Sequence, residues 1–339
     1  MKLEKEVEAV FGEPVLEEGA RRFGLVIGSC KKLGDFENYV FEMERGGEPC
    51  ILRLTHSSHR SEAEVAAELD WINFLASEGL TIPKSFLSVH NKMTERIETG
   101  DSYFTVCLFQ KAEGHLPDFQ NPIDWNMDLI LRWGAITGQM HEATRRYTVP
   151  DHTAARADWD DDELLQAAEQ FVIPGDEFVL ERLGEILEHL RALPRDPDSY
   201  GLIHTDIHPR NFFVNDDRIT VFDFDDCSYN WFVHDLAIPL YYSISWGVPQ
   251  SYTGDRQAYA SDFVKAFWSG YRDAYSLPNE WLKEIPQFLK LRDITLYLVI
   301  HKKEDPAHME PRLQKWLADI KDRIKRDAAI VDLDYTLLT

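Results

Sequence analysis

The chain has 339 residues, 44% of them hydrophobic and 28% charged, enough apolar material for about two domains or one two-lobed unit and unlike a disordered, collagenous or coiled-coil composition. Lys and Arg number 36 against 59 Asp and Glu, a formal net charge of −23; a field of that sign repels phosphate backbones and anionic lipid, so neither nucleic acid nor a membrane surface is an expected partner. The dispersed Cys30, Cys50, Cys107 and Cys227 form no C-x-x-C pair, and with neither a signal-peptide core nor an apolar run near the roughly 20 residues of a membrane span, the expectation is a cytoplasmic protein.

In chain order, Arg22–Ile27 reads as a short strand. Tyr39–Glu44 and Cys50–Thr55 alternate across an Arg45–Pro49 turn and predict a hairpin. Ser61–Ser77 carries Val65, Leu69, Ile72 and Leu75 at helical spacing and stops at Gly79 and Pro83. Ser85–His90 and Ser102–Gln110 predict two further strands around a polar turn near Gly100. After Gln110 the character changes. Helices are predicted over Asp124–Arg146, with Asp124 as N-cap, and over Glu163–Phe171 and Glu177–Leu193. Leu202–Val214 and Thr220–Phe224 are strand-like, and from Val233 the pattern is helical, over Asp262–Tyr275, Glu280–His301 and Glu310–Ile330. The expectation is α+β: a small β-rich lobe with one main helix, residues 1–110, and a larger, mostly α-helical lobe, residues 111–339.

The stretch from Gly201 to Asp226 carries the chemistry. Apolar Leu202 and Ile203 deliver His204 and Asp206 to a loop, and Asn211 follows five residues after Asp206. Phe212-Phe213-Val214 then leads through a polar turn to Thr220-Val221-Phe222, which delivers Asp223. Two short strands joined by so tight a turn should pair, and pairing would bring Asn211 and Asp223 together beside Asp206. Phosphoryl transfer uses these residue types: a carboxylate to orient an acceptor hydroxyl and take its proton, and hard oxygen ligands for Mg²⁺. The H-x-D-x-x-x-x-N spacing followed by an Asp at a strand end matches a kinase catalytic loop and its metal-binding Asp.

On His204-Thr-Asp206-Ile-His208-Pro-Arg-Asn211, Val221-Phe-Asp223-Phe-Asp225-Asp226 and His234-Asp235-Leu236-Ala237, the chain resembles the aminoglycoside phosphotransferase and choline kinase family, which has a bilobal protein-kinase-like fold. The resemblance implies ATP and Mg²⁺ as cofactors and transfer of the γ-phosphoryl group to a hydroxyl of a small molecule, such as an aminoglycoside, choline-like or amino-alcohol acceptor. It implies Asp206 as catalytic base, Asn211 and Asp223 as Mg²⁺ ligands, and His204 and Asp235 as supports of the loop. It places Arg53, where the family's strand lysine stands, on the nucleotide, paired with Glu68 of the Ser61–Ser77 helix; an arginine there departs from the usual pattern and is not a conservative exchange. The main chain at Gln110 and Ala112 would meet adenine. His208 reads as a loop support or a substrate contact.

Two other classes use the same residues. His204, Asp206, His208, Asp223 and Asp225 could serve a metal-dependent hydrolase, and the Arg53 substitution would suit a nucleotide-binding pseudokinase. The terminal Ile330-Val-Asp-Leu-Asp-Tyr-Thr336 imitates an aspartyl-phosphate motif; with only Leu337, Leu338 and Thr339 after it, the expectation is a tail of alternating charge. Residues 151–170 hold seven acidic residues and one basic; they would suit a cationic acceptor or simply form a solvated helix start, with Asp160–Asp162 as caps. Aromatic residues of the second lobe read mainly as core.

Overall fold

The computed structural model describes residues 5–151, 153–304 and 308–338. The chain forms two compact units, one of residues 1–113, 147–156 and 220–225, the other of residues 114–146, 157–219 and 226–339.

The first unit opens with α1 (Lys5–Val10) and α2 (Glu13–Arg22). The predicted strand over Arg22–Ile27 is absent, because this stretch ends α2. Gly24, at φ 70°, donates its N–H to the Arg21 carbonyl while Leu25 donates to Ala20, the paired bonds of a Schellman cap. The apolar Phe23 and Leu25 are buried by that cap. Next come β1 (Lys31–Gly34), β2 (Asn38–Arg45), β3 (Glu48–His56), α3 (Glu62–Ser77), β4 (Ser85–Phe86), β5 (Glu95–Thr99) and β6 (Ser102–Gln110). The sheet order is β1-β2-β3-β6-β4, with β5 also on β6. The β2–β3 hairpin pairs Val40 with Arg53 and Arg45 with Glu48. The strand at Ser85 is two residues long, and the hairpin partner of β6 around Gly100 is β5. Leu52 and Leu54 of β3 enter one apolar cluster with Phe23, Phe41, Phe104 and Val106. Arg53 lies between them in sequence, so strand alternation sends it to the opposite face. On α3, the Ser61 hydroxyl accepts from Glu64 N–H while the Glu64 carboxylate accepts from Ser61 N–H, a capping box that sets where the helix starts.

The second unit contains α4 (Met127–Thr144), α5 (Glu163–Gln166), α6 (Phe178–Arg191), β7 (Tyr200–Ile203) and β8 (Phe212–Asn215). It continues, after β9 (Arg218–Val221), with β10 (Ser228–Trp231), α7 (His234–Ser245), α8 (Arg256–Ala274), α9 (Ile285–Lys303) and α10 (Pro311–Lys325). Strand β8 pairs with β9 and β7 with β10; the chain passes from the second unit to the first within β9. The cap of α4 is Asn126, whose side chain accepts from Leu129 N–H. Asp124, the predicted cap, instead accepts from Asp118 N–H and meets His115. The predicted helix over Glu163–Phe171 stops at Gln166 and continues only as a 3₁₀ turn over Ala168–Gln170. Helices α4 and α8 touch backbone to backbone. A Cβ at Gly134 or Gly270 would collide with the carbonyls of Phe267 and Leu131, so only glycine permits this approach.

Candidate active site

In the first unit, the Arg53 guanidinium donates Nη1 to Glu68 Oε1 at 2.8 Å and Nη2 to Glu68 Oε2 at 2.5 Å. The fork is bidentate and fully enclosed, with Arg53 4% and Glu68 0% exposed. Burial works against charge on Arg53, but the Glu68 carboxylate holds its pKa well above the usual arginine value. The Asp225 carboxylate lies 3.9 Å from Arg53 Nη1 and accepts from His59 Nε2 at 2.5 Å. Burial would raise Asp225; His59 and Arg53 beside it hold it well below the ordinary carboxylate range. Burial would likewise lower His59, and Asp225, with Glu37 at 3.8 Å, pushes it up instead. Arg156 clamps this corner, donating to the carbonyls of Asp225 (2.7 Å) and Glu64 (3.2 Å). Asp223, two residues earlier, is exposed and has a left-handed backbone, φ 66°. At the end of β6 the Gln110 N–H donates to the Lys84 carbonyl at 2.9 Å, so that main-chain donor is already used.

In the second unit, β7 ends at Ile203 and releases the chain into a loop held from beneath. Thr205 has φ 69°, a conformation that costs a β-branched residue about 1–3 kcal/mol. Four hydrogen bonds hold it there. Its N–H donates to Asp235 Oδ1 (2.9 Å), its hydroxyl to the Asp226 carbonyl (2.8 Å), and its own carbonyl accepts from His234 Nε2 (3.0 Å). The fourth flanks it: His204 N–H donates to Asp235 Oδ2 at 3.2 Å. Asp235, 0% exposed, also meets His141 Nε2 at 3.3 Å, and His141 Nδ1 meets the Tyr271 hydroxyl at 2.7 Å. Burial favours a proton on Asp235, but these donors hold its pKa below the usual value. His204 is fully buried, and its Nδ1 accepts from Asp206 N–H at 3.3 Å.

Asp206 stands, part-buried, at the outer end of this scaffold. Arg292 Nη2 donates to its Oδ1 at 2.5 Å. Asn211 Nδ2 donates to the Asp206 carbonyl at 3.0 Å and reaches Oδ2 at 3.5 Å, which turns the amide oxygen of Asn211 away from Asp206. His208 Nε2 is 3.5 Å from Oδ2, while its Nδ1 accepts from Arg210 N–H. Burial is the largest influence on Asp206 and raises its carboxyl to about 6; Arg292 opposes the rise and Asp226 adds to it. Burial also pushes His208 down to about 3 and His234 to about 4, so both rings are neutral at pH 7.

Asp206, Asn211, His204, Asp235 and His208 therefore share one loop and its support, and Arg53 and Glu68 share another site. Asn211 belongs to the second unit and Asp223 to the first. Among the described residues, the His and carboxylate groups close enough to share one ion are Glu37, His59 and Asp225; of the residues a hydrolase would use, that group contains Asp225 but not His204, Asp206, His208 or Asp223. The acidic segment is largely structural: Asp158 meets Tyr200 and Arg195, Asp160 meets Arg191, and Asp162 caps α5. Arg292 and His141 are not singled out by the sequence, and Tyr242 reads there only as one of the second lobe's core aromatic residues; no local motif links the three to Asp206.

Residues 30–275 match the model of the phosphotransferase enzyme family (APH). The chain belongs to that family. It is similar to the amicoumacin kinase of Bacillus subtilis (strain 168), with 33% identity over 337 residues, 98% of each chain. It is also similar to the solved structure of the amicoumacin kinase hAmiN in complex with AMP-PNP, Ca²⁺ and Ami, at TM-score 0.93 and 33% identity over 99% of this chain and 100% of that one. A microcompartment-associated aminopropanol kinase superposes at TM-score 0.76, with 21% identity over 93% and 97% of the two chains, and shares the fold. The architecture is thus the protein-kinase-like one of this phosphotransferase family. No helix among the described residues is long and apolar enough to cross a membrane.

Proposed function

We propose that this chain is an ATP- and Mg²⁺-dependent small-molecule kinase that phosphorylates a hydroxyl of amicoumacin or a related amino-alcohol acceptor. The observation that carries this reading is end-to-end similarity at 33% identity to an amicoumacin kinase, together with a relative of equal identity bound to an ATP analogue, a divalent cation and Ami. The net charge of −23 suits an acceptor bearing an amine. A cytoplasmic location, where ATP is abundant and free cysteines persist, fits the same reading.

In this reading residues 1–110 serve the nucleotide and residues 111–339 the acceptor. Arg53, kept charged by Glu68, contacts ATP phosphates, and main chain near Gln110 and Ala112 meets adenine, with Gln110 offering no N–H because Lys84 holds it. By donor chemistry each suits a hard divalent cation: Asn211 presents an amide oxygen directed by its Nδ2 bond, and Asp223 an exposed carboxylate. When bound, that cation supplies charge neutralisation for the phosphoryl group. Asp206 orients the acceptor hydroxyl and takes its proton, while His204 and Asp235 fix the loop that carries it. His208, neutral and beside Oδ2, supports Asp206 or meets the acceptor.

The direct test is mass spectrometry of amicoumacin incubated with the protein, ATP and Mg²⁺. One phosphoryl group added, only when ATP and Mg²⁺ are both present, is expected. Asp206→Asn should lower the rate by about 10²–10⁴-fold with ATP binding retained. Transfer undiminished in that variant, or no product from amicoumacin and a panel of amino alcohols, would refute the assignment.

A further inference from the structure

The catalytic-loop motif explains Asp206 but not the arginine that binds it. Arg292 lies 86 residues along the chain, on α9, and its Nη2 donates both to Asp206 Oδ1 and to the Tyr242 hydroxyl of α7. The next residues in each helix repeat the link. Tyr241 donates to Asp293 Oδ1 at 2.6 Å, and Arg323 of α10 clamps Asp293 with bonds of 2.8 and 2.6 Å. Helix α9 is thereby pinned to α7 and α10 immediately beside Arg292, so the guanidinium starts from a fixed point.

Two observations separate this contact from ordinary stabilisation. Arg292 Nε is buried without a hydrogen-bond partner, an uncompensated desolvation, and the pair itself is only part-buried, with side chains 20% and 17% exposed, where an ion pair adds little stability. The two oxygens of Asp206 are also unequally held. Oδ1 has a short charge-assisted bond, whereas Oδ2 has Asn211 Nδ2 and His208 Nε2 only at 3.5 Å, the outer edge of hydrogen bonding.

We propose that Arg292 is a positioning residue for phosphoryl transfer, holding Oδ1 of Asp206 so that Oδ2 is the oxygen that takes the acceptor's proton. This rests on the kinase reading above. In the step it serves, the acceptor oxygen bonds to the γ-phosphorus of ATP and the bond from that phosphorus to the β,γ-bridging oxygen breaks. ADP leaves with the electron pair, and the hydroxyl proton passes to Asp206 Oδ2. A guanidinium anchored by α7 fixes the carboxylate plane; without it the side chain can rotate and the base loses its alignment.

The test uses the full chain with ATP, Mg²⁺ and amicoumacin. Arg292→Met should lower kcat about 10²-fold, the scale of a misplaced catalytic group, with KM for ATP nearly unchanged. Arg292→Lys, which keeps the charge without the fork, should recover part of that loss. In an Asp206→Asn background, Arg292→Met should cause no further loss, because the two act as one unit. Multiplicative losses in the double variant, an unchanged kcat in Arg292→Met, or an effect confined to the KM for amicoumacin would each overturn the proposal. If Arg292→Met does not fold, Tyr242→Phe removes only one anchor and should slow kcat about fivefold, one hydrogen bond's worth; no change there also overturns it. Should the wild type transfer nothing to amicoumacin, the acceptor assignment fails, and the same double-variant comparison is read on ATP hydrolysis by water, which needs the same base.

Discussion

The two units handle buried charge in opposite ways. In the first, carboxylates and cations are matched: Arg53 with Glu68, His59 with Asp225, Arg22 with Glu95, each pair pushed further into its charged form or held there. In the second, at Asp206 itself, burial outweighs pairing: the carboxyl rises to about 6 and the imidazoles of His208 and His234 become neutral, while Asp235 beneath them stays matched. A matched pair holds still and keeps its charge, as a phosphate-binding cation must. An undermatched carboxylate can accept a proton near neutral pH, as a general base must. Under the roles proposed for Arg53 and Asp206, the same residue types would serve different ends according to how many opposite charges reach them.

The sharpest way to break this contrast is to unmatch the first unit. Arg53→Met leaves Glu68 buried and unpaired and should cost about 3–5 kcal/mol in urea unfolding. Arg53→Met with Glu68→Leu should regain most of that stability, since an apolar pair replaces an ionic one, yet should not regain ATP affinity. If the double variant binds ATP as the wild type does, Arg53 has a structural role only. Next in size is Glu95, 2% exposed, which accepts from Ser88, Arg22 and His90. Burial would raise it, but these donors lower its carboxyl to about 2 from 4.5. A depressed folded-state pKa stabilises above the unfolded value, so this contribution, on the order of 3 kcal/mol, is complete above pH 4.5 and disappears as pH falls from 4.5 towards 2. Glu95→Gln should therefore lower neutral-pH stability and flatten the acid limb of an unfolding curve followed by circular dichroism; an identical pH dependence would contradict the matched-charge description.

How far the sequence reveals this depends on the range of the interaction. The β2–β3 hairpin, α3 and the His204–Asn211 loop were legible because alternation, helical period and fixed spacing are local signals. The meeting of Arg53 with Glu68 was legible too, through a resemblance that places one strand beside one helix. Arg22–Ile27 misled because buried apolar residues in a helix cap look like a short strand when only composition is read. Asp124 misled because several polar residues preceding α4 could cap it, and three-dimensional demand from Asp118 and His115 decided for Asn126. Arg292 was invisible: its partner is 86 residues away, and its helix gives no reason to single it out.

The second unit's contrast is sharpened at Asp235. Asp235→Asn keeps the shape but replaces one acceptor oxygen by a donor that faces a backbone N–H or His141. One buried donor loses its partner, so stability should fall by about 1–3 kcal/mol. Turnover should fall more than that stability loss implies, because the strained loop under Asp206 loosens. Equal losses at Asp235 and at a remote core position of matched stability would remove the special role of this support.

The smallest expected effect tests the loop itself. At Thr205 three contributions oppose one another. Glycine at φ 69° would relieve about 1–2 kcal/mol of left-handed strain. It would lose the hydroxyl bond to the Asp226 carbonyl, about 1 kcal/mol, and would add roughly 0.5–1 kcal/mol of unfolded-state freedom. These nearly cancel, so Thr205→Gly should leave the unfolding midpoint almost unmoved while kcat drops, since the hydroxyl no longer ties the loop that carries Asp206 to the Asp226 main chain. A variant equally stable and equally fast would show that the bonds from Asp235 and His234 to the loop's main chain suffice without the Thr205 hydroxyl.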